Sequence, residues 1–195
     1  MNTLFKRIFV VLVTILGMAT SQLLLANELK LTAVIQKVGR GRIQNPLSLA
    51  KVIVEECKKQ GIDPLLIVAL IHQESSFRSY VASHKSAVGL MQLKHSTAQE
   101  VAKKLNWPSL SRNDLLDPIK NVKLGINYLG KLKKQFNNRT LFLTAYNNGP
   151  ARLKALSRTL SFSQCKFTYA SKILKLYHSL KKEADFPVAM TVALQ

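Results

Sequence analysis

Asp63-Pro64-Leu65-Leu66-Ile67-Val68-Ala69-Leu70-Ile71 decides the fold class of this chain. Asp63 is an N-cap candidate, because a short carboxylate can accept from the free N–H groups of a first helical turn. Pro64 then occupies the first helical position, where its missing N–H is not needed. The residues from Leu65 to Ile71 are all apolar. A helix without a polar face belongs in a core rather than on a surface.

The same punctuation recurs on both sides. Leu49, Val52, Ile53 and Cys57 follow helical spacing, and Lys58-Lys59-Gln60-Gly61 ends that segment. Thr97-Ala98-Gln99-Glu100 has the capping-box pattern, with Val101, Ala102 and Leu105 as an apolar face. Asp117-Pro118 repeats the capped start, followed by Ile119, Val122, Ile126, Leu129, Leu132 and Phe136. Leu141 to Tyr146 predicts a short buried segment, ended by Asn147-Asn148-Gly149-Pro150. Ala170, Ile173, Leu174, Tyr177 and Leu180 mark a final helix. No alternating β-branched run and no fixed-period repeat competes with this reading. The expected fold class is all-α, or predominantly α.

A length of 195 residues fits one domain plus a short extension. Hydrophobic residues make up 47%, enough for a core despite 29 Lys+Arg against 10 Asp+Glu. At the start, Lys6 and Arg7 precede an apolar run from Ile8 to Leu16, and Gly17, Ala19, Ser21 and Ala26 are small. That is the layout of a secretory signal peptide over residues 1–26, with an uncleaved membrane anchor as the alternative. The expected division is then a basic lead-in over 27–45, a domain over 46–182 and a tail over 183–195. The expected location is exported, periplasmic or associated with the cell wall. No lipid-attachment Cys lies in the leader.

Cleavage would lower the formal charge from +19 to about +17. Such a chain is drawn to polyanions, and for an exported protein an acidic wall polymer or anionic lipid fits better than nucleic acid. Export also permits a Cys57–Cys165 disulfide, while two buried thiols remain the equal alternative.

The chain has no phosphate-binding loop, no dinucleotide fingerprint and no metal-ligand spacing among its four His. No metal and no cofactor is expected. The ten carboxylates can be taken individually. Asp63 and Asp117 serve as caps, Glu100 completes a capping box, and Glu55 and Glu56 can pair with surface lysines. Glu28, Asp114, Glu183 and Asp185 fall in terminal or turn segments. Glu74 is left, near the C-terminal end of the most apolar helix. The helix dipole and burial both disfavour its charge there and raise its pKa. That suits a general acid near neutral pH. The plain alternative is an exposed Glu at a helix end.

The neighbourhood of Glu74 carries more. His72-Gln73-Glu74-Ser75-Ser76-Phe77-Arg78 resembles the Glu-Ser-x-Phe signature of lytic transglycosylases, with a serine at Ser83. Val88-Gly89-Leu90-Met91-Gln92 is similar to the family's Gly-Leu-Met-Gln stretch. Leu116-Asp117-Pro118, Asn121, Gly125 and Tyr128-Leu129 resemble the next block. Ala145-Tyr146-Asn147-Asn148-Gly149-Pro150 resembles the Ala-Tyr-Asn-x-Gly-Pro motif. The blocks occur in order over residues 48–178.

The resemblance implies a lysozyme-like SLT domain acting on peptidoglycan glycan strands at the MurNAc–GlcNAc bond. Glu74 would protonate the leaving oxygen and then, as a carboxylate, deprotonate the muramoyl C6 hydroxyl. Ring closure would give a 1,6-anhydro end, so one carboxylate suffices where hydrolysis usually needs two. Tyr146 would orient Glu74 or a sugar group, or simply fill the core. Gln92 and Asn147 would bind sugar substituents or Glu74, or cap local backbone. Ser83 would contact the muramoyl region, or be an ordinary loop serine.

Departures from the pattern fall around the groove. Ser86-Ala87 replaces Gly-Ala, Lys94-His95 replaces Met-Pro, and Ala151 replaces a glycine. Lys94 would meet an acidic peptide stem. The alternative functions are a hydrolytic goose-type muramidase and a non-catalytic wall-binding or secretion-assembly module. Partners beyond peptidoglycan would be a secretion, conjugation or motility apparatus, and the membrane if the leader is uncleaved.

Overall fold

The computed structural model describes residues 3–83, 86–159 and 167–183. Its elements are α1 (Thr3–Gly39), α2 (Pro46–Gln60), α3 (Pro64–Ser75), β1 (Ala87–Val88), β2 (Leu93–Lys94), α4 (His95–Lys104), a 3-10 turn (Asn113–Leu116), α5 (Pro118–Gln135), α6 (Arg139–Asn148), α7 (Pro150–Thr159) and α8 (Thr168–Glu183). The fold is predominantly helical, as expected. The two short antiparallel strands pair Ala87 with Lys94 and Val88 with Leu93.

Helix starts follow the chemistry read from the sequence. Asp63 Oδ1 accepts from the Leu65 N–H at 3.0 Å. Asp117 Oδ1 accepts from Ile119 at 2.8 Å and Lys120 at 3.0 Å. Gly61 closes α2 in left-handed backbone with φ 60°, a conformation that residues with a Cβ resist. α3 is buried from Pro64 through Ile71 and forms the centre of the core.

α8 lies along α3 and ties both of its ends. At the start of α3, the Tyr177 hydroxyl donates to Asp63 Oδ2 at 2.8 Å. At the end of α3, the Tyr169 hydroxyl donates to Glu74 Oε1. Between them, buried Ala170 and Ile173 join the core. α3 is therefore fixed at both ends by one neighbour, which sets the height of Glu74.

Two local expectations are corrected. α4 starts at His95, directly after β2, and its N-cap Lys94 makes no side-chain capping bond. The capping box at Thr97–Glu100 is not used. Glu100 instead pairs with Lys131 at 2.6 Å and Lys104 at 3.4 Å. Glu56 is no surface residue: it is 2% exposed, between α2 and α5. Its Oε2 accepts from Asn127 at 2.8 Å, and Lys59 Nζ lies 2.8 Å from its Oε1. The 27–45 stretch, expected as a basic lead-in, is helical to Gly39 and places Leu31 and Ile35 in the core.

The earlier half of α1 is different. Leu12, Val13, Met18, Leu23, Leu24 and Leu25 are exposed. The helix is long and apolar enough to cross a membrane by length and composition. Cys57 is a buried free thiol, and burial pushes its pKa well up, reinforced by Asp63 and Glu56. Cys165 and most of the 183–195 tail lie outside the described residues.

Candidate active site

Glu74 is the penultimate residue of α3 and opens into a cleft of about 490 Å³. Ser83, Gln92, Tyr146 and Asn147 line the same cleft, so the fold brings together all five residues selected from the sequence. Glu74 is the only carboxylate among the described lining residues. Burial pushes its pKa up to about 7, and the hydrogen bond from Tyr169 offsets part of that rise by favouring the charged form. At neutral pH the group is near half-protonation, where one carboxyl can donate and later accept a proton.

The chain leaves Glu74 through an unusual turn. Ser75 is buried, and its hydroxyl donates to Ile71 O at 3.2 Å. Ser76 and Phe77 then adopt positive φ, 49° and 62°. Left-handed backbone at a non-glycine costs about 1–3 kcal/mol and persists where the surroundings fix it. The Ser76 N–H donates to His72 O at 3.0 Å, and the Arg78 N–H to Ser75 O at 3.1 Å. Phe77 is completely buried.

Asn121 on α5 holds the opposite wall. It is fully buried, with Nδ2 donating to Val88 O and Leu115 O at 2.9 Å. Its Oδ1 accepts from the Met91 N–H at 2.8 Å. Gly89 passes so close that a Cβ there would stand 2.3 Å from Asn121 Nδ2, and its φ of +80° also favours glycine. Met91 O in turn accepts from the Tyr146 hydroxyl at 2.7 Å. One buried amide therefore positions the Gly89–Gln92 loop and, through it, Tyr146.

These bonds redistribute the expected roles. The hydroxyl on Glu74 belongs to Tyr169, not to Tyr146. Tyr146 packs its ring 5.5 Å from that of Tyr128, and burial, with Glu74 nearby, holds its hydroxyl protonated. The Gln92 amide donates to Val81 O and Gly89 O, both at 2.9 Å, so it clamps backbone at the cleft edge. Ser83 Oγ accepts from the Ala87 N–H at 3.2 Å. Asn147 is exposed, and its amide reaches Asn148 at 3.2 Å. Lys94 is the only Lys or Arg among the described lining residues. Tyr169 went unnoticed in the sequence because its helix was read only for its apolar face.

Among the described residues, no group of three His, Cys, Asp or Glu side chains could hold a metal ion. Residues 51–164 match the Transglycosylase SLT domain, more than half of the chain. The chain belongs to this family. The matched segment contains Glu74, Ser83, Gln92, Tyr146 and Asn147 but not Tyr169.

Curated relatives of this SLT-domain chain include a membrane-bound lytic murein transglycosylase C from Sodalis glossinidius, 38% identical over 112 residues, covering 52% of this chain and 31% of the relative. Another, of the same name from Pectobacterium atrosepticum, is 38% identical over 102 residues, covering 47% of this chain and 29% of the relative. The chain thus spans under a third of the length of these relatives. Among solved structures, an inactive mutant of the lytic transglycosylase Slt from Pseudomonas aeruginosa matches with TM-score 0.60 and 27% identity, covering 85% of this chain and 31% of the other. The 70 kDa soluble lytic transglycosylase from Escherichia coli shares the fold, with TM-score 0.62 and 22% identity over 82% of this chain and 31% of that one.

Proposed function

We propose that this chain is an exported lytic transglycosylase of peptidoglycan, with Glu74 as its acid and base. The observation that carries this reading is a single carboxylate among the described cleft residues, raised to about 7 by burial. A hydrolase of the usual kind needs a second carboxylate for water or a covalent intermediate. An intramolecular nucleophile removes that need. Murein is named in the relatives' activity, and the cleft's amide and hydroxyl groups suit a glycan.

In this mechanism Glu74 starts protonated and donates to the glycosidic oxygen as the MurNAc–GlcNAc bond breaks. The substrate acetamido group stabilises the positive charge at C1. The Glu74 carboxylate then takes the C6 hydroxyl proton, and O6 closes on C1 to give the 1,6-anhydro end. Tyr169 shares the negative charge of Glu74 between these steps. Ser83, Gln92, Tyr146 and Asn147 shape the wall against which the sugars lie.

Residues 1–26 act as an export signal or membrane anchor in this reading, ahead of the wall-degrading domain. The exposed apolar side chains of α1, among them Leu12, Val13, Met18 and Leu23, and the "membrane-bound" name of the relatives support membrane association. The basic surface supplies attraction to the acidic wall. The test is release of soluble muropeptides from purified peptidoglycan. Release by the full chain and none by a folded Glu74→Gln variant is expected. Equal release by both contradicts the role of Glu74, and tight binding without release contradicts an enzyme.

A further inference from the structure

Ser76 and Phe77, two and three residues after Glu74, hold two consecutive left-handed conformations without glycine. Besides its local hydrogen bonds, such a turn keeps its shape through outside contacts. Two of these come from the end of α1 and the residues behind it. The buried Phe77 ring lies against the bare Cα of Gly39: a Cβ at position 39 would stand 3.2 Å from Phe77 Cγ and 3.5 Å from Phe77 Cβ. Gly39 ends α1 without a positive φ, so what a side chain there would meet is the Phe77 ring, which would have to give by a few tenths of an ångström. Three residues on, Arg42 Nη1 donates to Ser76 O at 3.3 Å. Leu31 and Ile35 seat this half of α1 in the core, which makes it a fixed support.

We infer that Gly39 and Arg42 are positioning residues for Glu74, the end of α1 bracing the Ser76–Phe77 turn that sets where the carboxyl stands in the cleft. This rests on the reading of Glu74 as the acid. Both residues lie before the 51–164 segment that matches the family. The working unit therefore begins inside α1. The same unbroken helix carries the exposed Leu12, Val13, Met18 and Leu23, so the support of the catalytic turn is continuous with the segment that would meet a bilayer.

The test uses the full chain, with kcat, KM and the pH profile measured on soluble peptidoglycan fragments. Tyr169 and Tyr146, which act on Glu74 from α8 and α6, stay protonated well above neutrality, so neither supplies a limb near neutral pH, and the profile is taken in a His72→Gln background to leave Glu74 as its source. Gly39→Val is expected to lower kcat about tenfold, because the Cβ asks Phe77 to give by a few tenths of an ångström, and a misplacement of about 1 Å costs about a hundredfold. KM should hold and the Glu74 limb should move. Adding Phe77→Leu should relieve most of the loss. Arg42→Gln should lower kcat about threefold, for one exposed hydrogen bond, with Arg42→Lys restoring it. A wild-type kcat and pH profile in Gly39→Val overturns the inference, as does a loss that Phe77→Leu does not relieve. If Gly39→Val does not fold, the Arg42 pair decides, and an unchanged kcat in Arg42→Gln overturns it. Glu74→Gln is assayed alongside: if it is fully active, the reading of Glu74 fails instead.

Discussion

Tyr169 donates its hydroxyl to Glu74 from a helix 95 residues further along the chain. The bond favours the carboxylate, and burial opposes it more strongly. Tyr169→Phe removes the favourable part alone. The apparent pKa of the acid should therefore rise above about 7, and kcat should fall about tenfold for one charge-assisted hydrogen bond. The pH dependence of kcat/KM checks both. A limb that stays in place would separate Tyr169 from the acid.

The raised pKa of Glu74 also makes a stability statement. A carboxyl titrating near 4.5 when unfolded and about 7 when folded favours the folded state below the lower value. That contribution is lost as pH rises through the upper one, because the unfolded chain gives up its proton first. The loss is about 3 kcal/mol at most. Glu74→Gln should melt close to wild type at pH 4.5 and clearly above it at pH 8. For a chain of this size the gap is several degrees. Thermal melts across that window measure it.

Helix starts were legible because they are local: Asp63 and Asp117 cap within three residues of themselves. Glu74 stood out because carboxylates are few and it ends an apolar helix. What escaped depends on distant partners. Tyr169 and Tyr146 are equivalent aromatics until α8 is laid along α3. Glu56 looks like a surface acid until α5 brings Asn127 to it. Ser76 and Phe77 give no hint of positive φ, since glycine usually signals it. The capping box was a true pattern, but β2 runs straight into α4 and starts that helix earlier. The cleft residues of the resemblance converged, although Gln92 and Ser83 direct hydrogen bonds into the loop backbone as well as lining the site.

Asn121 should be the most sensitive structural residue of the cleft. Asn121→Ala strands the Met91 N–H and two buried carbonyls. Each unsatisfied group costs about 1–3 kcal/mol, so a loss of about 3–5 kcal/mol in denaturant unfolding is expected. Gly125→Ala attacks the same loop from below, since its Cβ would stand 2.4 Å from Met91 Sδ. It should destabilise by about 1–3 kcal/mol through overpacking.

Lys94 is the one Lys or Arg among the described cleft residues, and the stem peptides of peptidoglycan carry carboxylates. Lys94→Met should weaken binding of stem-bearing glycans several-fold, more so at low salt, and leave stem-free glycans nearly unchanged. Calorimetric titration of an inactive Glu74→Gln background with both ligands checks this. Equal effects on the two would remove Lys94 from stem recognition.

Intramolecular ring closure by a single carboxyl is the centre of this account, and mass spectrometry of the fragments released from purified peptidoglycan tests it most directly. Products lighter than the hydrolytic muropeptides by one water are expected, because no water enters the bond that Glu74 breaks. Full-mass reducing ends would contradict the account and require a second group, absent from the described cleft lining, to activate water beside Glu74.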